Sequence, residues 1–282
     1  ISMAIEPKTS AGRDDLMAAL AALADEDPTL LVTANPDTGQ TLVSGMGELH
    51  LEIIKDRIWR EYKVQANAGQ PIVAYRETIR AESQGAYVFD REIGGKRQFA
   101  GLTLKVAPRG RRQGNEVVFS VGHEQLPESF REAVGGGIED AAVTGILGHY
   151  PMVDILVEVV AAQSDNCDST DVAFRTAAVM AFRDAVARAQ PVLLEPIMAL
   201  EIITPDEYVG DVLGDINSRR GKIAGVVCKP SIQLIRADVP LVELFGYTTT
   251  LRSLTRGRGS YTMEPVTFAV VPENIQKKVL NR

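Results

Sequence analysis

The chain has 282 residues, 45% hydrophobic and 24% charged, the composition of ordinary globular domains and enough length for two or three of them. No apolar run approaches the roughly 18 residues a membrane-spanning helix needs, so no membrane partner is expected. A formal net charge of −7 argues against a general nucleic-acid coat, and any RNA contact must come from local basic patches.

Residues 1–70 alternate strand and helix signals. Met3 and Ile5 alternate with polar positions up to Pro7, and Ser10 can cap a helix whose first turn holds Asp14 and Asp15. Leu16, Leu20 and Leu23 fall at helical spacing, and Asp27-Pro28 ends the run. Leu30–Val32 and Thr41–Val43 bracket Asn35-Pro36-Asp37-Thr38-Gly39, a hairpin turn. A second helix from Glu48 puts Leu51, Ile54, Ile58 and Tyr62 on one face, and Val64–Ala66 closes a β-α-β-β-α-β unit.

The middle, residues 73–194, reads as a different α/β unit with strands at 74–79, 99–106, 117–121 and 153–160. One of its helices begins near Pro127 and contains Gly135-Gly136-Gly137, which suggests close packing on the sheet or a kink. A second helix from Asp168-Ser169 has a small-residue face through Ala178, Ala181 and Ala185. The last part repeats the topology of the first. A strand carries Ile197, Ala199, Glu201 and Ile203. Thr204-Pro205-Asp206-Glu207 then has the form of a capping box, opening a helix that buries Val209, Leu213 and Ile216. Strands at 223–227 and 232–239, a helical stretch at 241–249 and a strand at 260–271 complete it.

No G-x-x-x-x-G-K-[ST] phosphate loop and no G-x-S-x-G elbow occurs, so no catalytic residue is assigned. His50, His123 and His149 lack ligand spacing, so no metal site is expected, and His50 reads as a surface or packing residue. Cys167 and Cys228 form no CxxC pattern, which fits a reduced, cytoplasmic setting. The opening Ile1-Ser2-Met3-Ala4-Ile5 has no initiator methionine and no basic leader, so a piece of a longer protein is expected.

Against the acidic whole, Arg91 to Gln113 holds seven basic residues opposed only by Glu92. Gly94-Gly95 reads as a tight turn, with Lys96, Arg97 and Gln98 at a hairpin tip and Arg109, Arg111 and Arg112 just behind. Such a tip can meet phosphate, or it can be a solvated loop that protects a sheet edge. Two further basic places are Arg219 and Arg220 at a helix end, and Arg252, Arg256 and Arg258 along Thr255-Arg256-Gly257-Arg258-Gly259. Glycine there lets backbone approach a phosphate that arginine can grip bidentately. Three basic places on one acidic chain suit a large ribonucleoprotein partner.

Several stretches together resemble bacterial elongation factor G: Ala4-Ile5-Glu6-Pro7-Lys8, Ser44-Gly45-Met46-Gly47-Glu48-Leu49-His50-Leu51-Glu52, Tyr75-Arg76-Glu77-Thr78, Leu194-Glu195-Pro196-Ile197-Met198 and Leu251-Arg252-Ser253. The resemblance implies that family's domains III, IV and V at residues 1–72, 73–194 and 195–282. The fold class implied is α+β, with two ferredoxin-like βαββαβ domains flanking a ribosomal-protein-like domain that has a left-handed βαβ crossover. It further implies a translational GTPase whose GTP, magnesium and nucleotide-binding domain belong upstream, leaving no cofactor in this piece.

The implied partners are the ribosome, through ribosomal RNA and the tRNA–mRNA of the decoding region, and the upstream GTPase domain of the same chain, as a monomer. Gly94–Gln98 and the loop 162–168, with Asp165, Asn166 and Cys167, would form the tip of the arm. Where the family usually has a histidine, this chain has Asp165. That departure leaves open a paralogue acting in ribosome recycling, and an RNA-binding adaptor without GTPase activity is the alternative of another class.

Overall fold

The computed structural model describes residues 2–9, 12–36, 38–165 and 167–281, with only the backbone at Glu48. It divides into two compact units, one of residues 1–74 with 196–266 and the other of 75–195 with 267–282.

In the first unit, β1 (Ser2–Pro7), α1 (Arg13–Glu26), β2 (Leu31–Ala34), β3 (Thr41–Ser44), α2 (Glu48–Tyr62) and β4 (Ala66–Gly69) follow one another. The sheet order β2-β3-β1-β4, antiparallel throughout, is the ferredoxin-like arrangement. Leu16, Leu20 and Leu23 of α1 meet Ile54 and Ile58 of α2 over Ile5 and Val43, as the 3.6-residue spacing requires. Gly12 is the N-cap of α1 and makes no side-chain cap bond; Ser10, the expected cap, and Asp37 of the expected turn lie outside the described residues. His50 is structural. Its Nδ1 accepts from the Met46 amide at 3.2 Å, while Nε2 lies 2.9 Å from Asp27 Oδ2.

The middle of the chain contains β5 (Arg76–Ile79), β6 (Ser83–Ile93), β7 (Lys96–Pro108), β8 (Glu116–Phe119), α3 (Glu128–Thr144), β9 (Ile155–Gln163) and α4 (Asp171–Arg188). Their sheet runs β6-β7-β9-β8, and its one parallel pair, β8 with β9, is the pair that α3 connects. One face buries Leu102, Leu104, Val106, Val157 and Val159 against the two helices. The buried face of α4 is alanine-rich because the helix lies on the backbone of β6. A Cβ on Gly85 would stand 2.3 Å from the Ala185 nitrogen. Of the three consecutive glycines, Gly137 alone packs on backbone, and it meets α4 and not the sheet. A Cβ there would lie 2.6 Å from the Arg175 oxygen.

The last elements are β10 (Pro191–Thr204), α5 (Val209–Ser218), β11 (Lys222–Lys229), β12 (Ile232–Pro240), α6 (Tyr247–Leu254), β13 (Ser260–Val270) and α7 (Glu273–Leu280). The order β11-β12-β10-β13 repeats the ferredoxin-like arrangement. Val212 and Ile216 of α5 pack with Tyr247 and Leu251 of α6 on Leu200, Ile202, Ile235 and Ala237. The expected capping box does not form. Thr204 ends β10, residues 206–208 make a 3-10 turn, and α5 begins only at Val209. The Glu207 carboxylate is taken instead by the Arg258 guanidinium, and Asp206 accepts from the Gln233 side chain at 2.6 Å.

Candidate nucleic-acid interface

β6 and β7 stay in register from Ser83 opposite Val106 to Ile93 opposite Lys96, so only Gly94 and Gly95 remain to reverse the chain. Both have positive φ, +62° and +78°, as a type I′ hairpin turn demands. Lys96 is exposed at this end and has no side-chain partner among the described residues. Arg97 is committed. Its Nε and Nη2 donate to Asp90 Oδ1 and Oδ2 at 2.8 and 2.7 Å, and its Nη1 lies 3.6 Å from Asp168 Oδ2. The guanidinium also lies 5.4 Å from the centre of the Phe99 ring. These hydrogen bonds hold the Asp90 carboxyl below its ordinary range and raise Arg97 above its own.

The second loop is tied to the first. Phe99 N donates to Asp168 O at 2.9 Å, Ser169 Oγ donates to Phe99 O at 2.9 Å, and Thr170 Oγ1 donates to Gln98 Oε1 at 3.3 Å. Thr170 also caps α4 by accepting from Ala173 N at 3.2 Å. Gly94–Gln98 and Asp165 with residues 167–170 therefore share one end of the domain. Cys167 is exposed there, and Asn166 lies outside the described residues.

Asp165 does not stand as an unmatched outward charge. Its Oδ1 accepts from Cys167 N at 2.9 Å and Asp168 N at 3.3 Å, closing an Asx-type turn. Its own amide donates to Ser169 Oγ at 2.8 Å. Asp165→His is therefore expected to expose the Cys167 and Asp168 amides to faster hydrogen exchange, whereas Asp165→Asn, which keeps an acceptor, preserves their protection. Equal exchange in both variants would remove the turn-closing role.

Arg111 and Arg112 do not belong to this tip. The 13 residues of β7 separate Lys96 from Pro108, a span of about 40 Å at roughly 3.3 Å per step. The hairpin places them at the opposite end of the domain, which corrects the expectation that they stand just behind the turn.

The third region is partly internal as well. Arg219 donates to Asp215 Oδ2 at 2.8 Å and Thr250 Oγ1 at 3.1 Å, and lies 5.0 Å from the centre of the Tyr247 ring, so it binds α5 to α6. Arg220 Nε donates to Glu243 Oε1 at 2.9 Å. Arg258 engages Glu207 and the Tyr208 hydroxyl. Arg252 and Arg256 are exposed and without side-chain partners among the described residues. Buried Thr255 holds their loop, donating to Leu251 O at 2.7 Å and accepting from Gly259 N at 2.8 Å. Among the described residues, the cations expected to bind RNA whose side chains make no hydrogen bond are thus Lys96, Arg111, Arg112, Arg252 and Arg256.

Sequence reasoning missed Asp90, Phe99 and Asp168, the groups that hold Arg97. Asp90 becomes visible as its partner only when residues 83–93 are read as a strand and the turn at Gly94-Gly95 is used to set the register.

Family profiles match in order along the chain: "Elongation Factor G, domain III" over residues 1–70, "Elongation factor G, domain IV" over 71–190 and "Elongation factor G C-terminus" over 192–279. Elongation factor G of Chlamydia caviae is 46% identical over 282 residues, which are all of this chain and 41% of that protein. A crystal structure from Thermus thermophilus superposes with a TM-score of 0.86 at 34% identity, covering all of this chain and 42% of that one. The chain thus spans about two fifths of the length of these relatives. With three profiles of one family in sequence order and a matching fold, the chain belongs to the elongation factor G family of translation factors, in the part comprising domains III, IV and the C-terminal domain.

Proposed function

We propose that this chain is the ribosome-engaging part of a translational GTPase. In this reading, GTP hydrolysis with magnesium in an upstream domain is coupled to movement of tRNA and mRNA. The setting is cytoplasmic, the protein acts as a monomer, and the chain contributes binding and positioning and no catalytic group. Membership of the elongation factor G family supports the class of function. The observation that carries the reading further is the tip. A register-locked hairpin with a two-glycine turn presents Lys96 at the turn end of its sheet, while Asp90 and the Asp168–Ser169 segment brace the strand behind it.

A cation on a braced strand meets phosphate with less ordering cost than one on a mobile loop. Because Arg97 is held by Asp90, the phosphate contact at the tip rests on Lys96. Lys96→Ala is expected to weaken binding of the chain to purified ribosomes. It should also lower the magnitude of the log–log salt slope by about 0.7–0.9, the increment for one phosphate contact. An unchanged affinity and slope across a salt series would reduce the tip to a solvated hairpin end. Subunit splitting in ribosome recycling is the second reading, raised by Asp165 where the family usually has a histidine; it predicts a requirement for a recycling partner in the ribosome assay.

A further inference from the structure

At the end of β7 opposite the tip, the chain turns through Arg109–Gly114 over the buried carboxylate of Asp154. Asp154 Oδ2 accepts from Arg112 N at 3.2 Å and Oδ1 from Gly114 N at 2.9 Å, and its backbone oxygen accepts from Arg109 N at 2.8 Å. Both carboxylate oxygens are therefore engaged with main chain, and the Arg111 guanidinium approaches only to 3.9 Å. Arg112 and Asp154 hold φ values of +67° and +59°, a region costing a non-glycine residue about 1–2 kcal/mol. Two such residues braced by one buried carboxylate mark a loop held in a chosen shape, the kind of local strain that clusters at binding sites.

This loop walls a groove of about 360 Å³ that is also lined by Arg76, Val153 and Phe268. The Arg76 guanidinium lies 5.8 Å from the centre of the Phe268 ring. Neighbouring Arg109 is neutralised by Glu116 at 2.7 Å, whereas the Arg112 side chain has no partner among the described residues. The exposed Arg111 and Arg112 thus line the groove together with Arg76 and the Asp154 carboxylate.

We infer that this groove is a second RNA-backbone site, separated from the tip by the length of β7. The inference rests on the reading that the chain engages ribosomal RNA. Guanidinium forks match phosphate oxygens bidentately, and the wall of Val153 and Phe268 offers a surface for a sugar or a base face. An acidic chain repels nucleic acid except where cations are concentrated, so two such places at the two ends of one domain fix its orientation on a folded RNA.

The test uses the 282-residue chain, purified ribosomes, a salt series and hydroxyl-radical probing of ribosomal RNA, with Arg111→Gln/Arg112→Gln compared against Lys96→Ala. The double variant is expected to lower the magnitude of the salt slope by about 1.4–1.8, the increment for two phosphate contacts, and to weaken binding several-fold. It should erase one set of backbone protections while leaving the set that Lys96→Ala erases. Retained exchange protection of the Arg112 and Gly114 amides certifies that the loop still stands on Asp154. If the double variant keeps wild-type slope and protections while Lys96→Ala loses its own, the groove is not an RNA site and the tip reading survives. Weakened binding with every RNA protection intact assigns the groove to an acidic protein surface and overturns the inference. Absence of binding by the unaltered chain overturns both readings together.

Discussion

Glu77→Ala should destabilise the unit that contains it by about 3 kcal/mol or more, because several buried backbone amides lose their acceptor at once. Glu77 is fully buried, and its carboxylate accepts from four backbone amides. Oε2 takes Ile146 N at 2.7 Å and Leu147 N at 2.9 Å; Oε1 takes Gly148 N at 2.8 Å and Tyr150 N at 3.2 Å. The segment after α3 is thus folded around an anion supplied by the first strand of the domain. Alanine would strand four donors away from water, each at a cost of about 1–3 kcal/mol before the segment relaxes. Glu77→Gln keeps one acceptor oxygen and turns an amide donor toward two others, so an intermediate loss is expected. Urea unfolding gives the magnitude, and hydrogen exchange at Ile146, Leu147, Gly148 and Tyr150 gives the location. Undiminished protection at those amides would show that the carboxylate is dispensable.

Three glycine-to-alanine substitutions should separate close packing from conformational preference. At Gly85, a Cβ would meet the Ala185 nitrogen at 2.3 Å and the Ala181 oxygen at 2.5 Å. Helix backbone cannot rotate aside as a side chain can, so α4 must lift from β6, and a loss of about 3 kcal/mol or more is expected. At Gly137, the Arg175 oxygen at 2.6 Å and Ala178 Cβ at 3.1 Å predict a loss of about 1–3 kcal/mol through the α3–α4 contact. At Gly135, nothing lies within 4 Å, so alanine should stabilise α3 by about 0.5–1 kcal/mol through its better helix propensity. Urea midpoints ranking Gly135→Ala above wild type and Gly85→Ala last would match this packing. A common destabilisation of all three would instead mean that the glycines serve backbone flexibility.

The sequence by itself determined the elements whose signal is local. Leu16, Leu20 and Leu23 repeat at the helical period and are buried together, and Gly94-Gly95 can reverse a hairpin because only glycine enters positive φ freely. The βαββαβ order of the first and last domains followed from the same signals. Tertiary structure decided whatever depends on register or on a distant partner. Residues 83–93 hold the strand-forming run Tyr87-Val88-Phe89, yet only their register with β7 aligns Asp90 to take Arg97. The capping box at Thr204–Glu207 is sound as local chemistry and loses to Arg258, which arrives from 51 residues away. Arg219 looks like a helix-end cation until α6 places Tyr247 and Thr250 against it. Arg109–Arg112 looks adjacent to the tip because sequence distance is short, but an extended strand converts 13 residues into about 40 Å. Periodicity and turn chemistry act within a few residues, whereas the partner that satisfies a charge is chosen by strand register and helix packing.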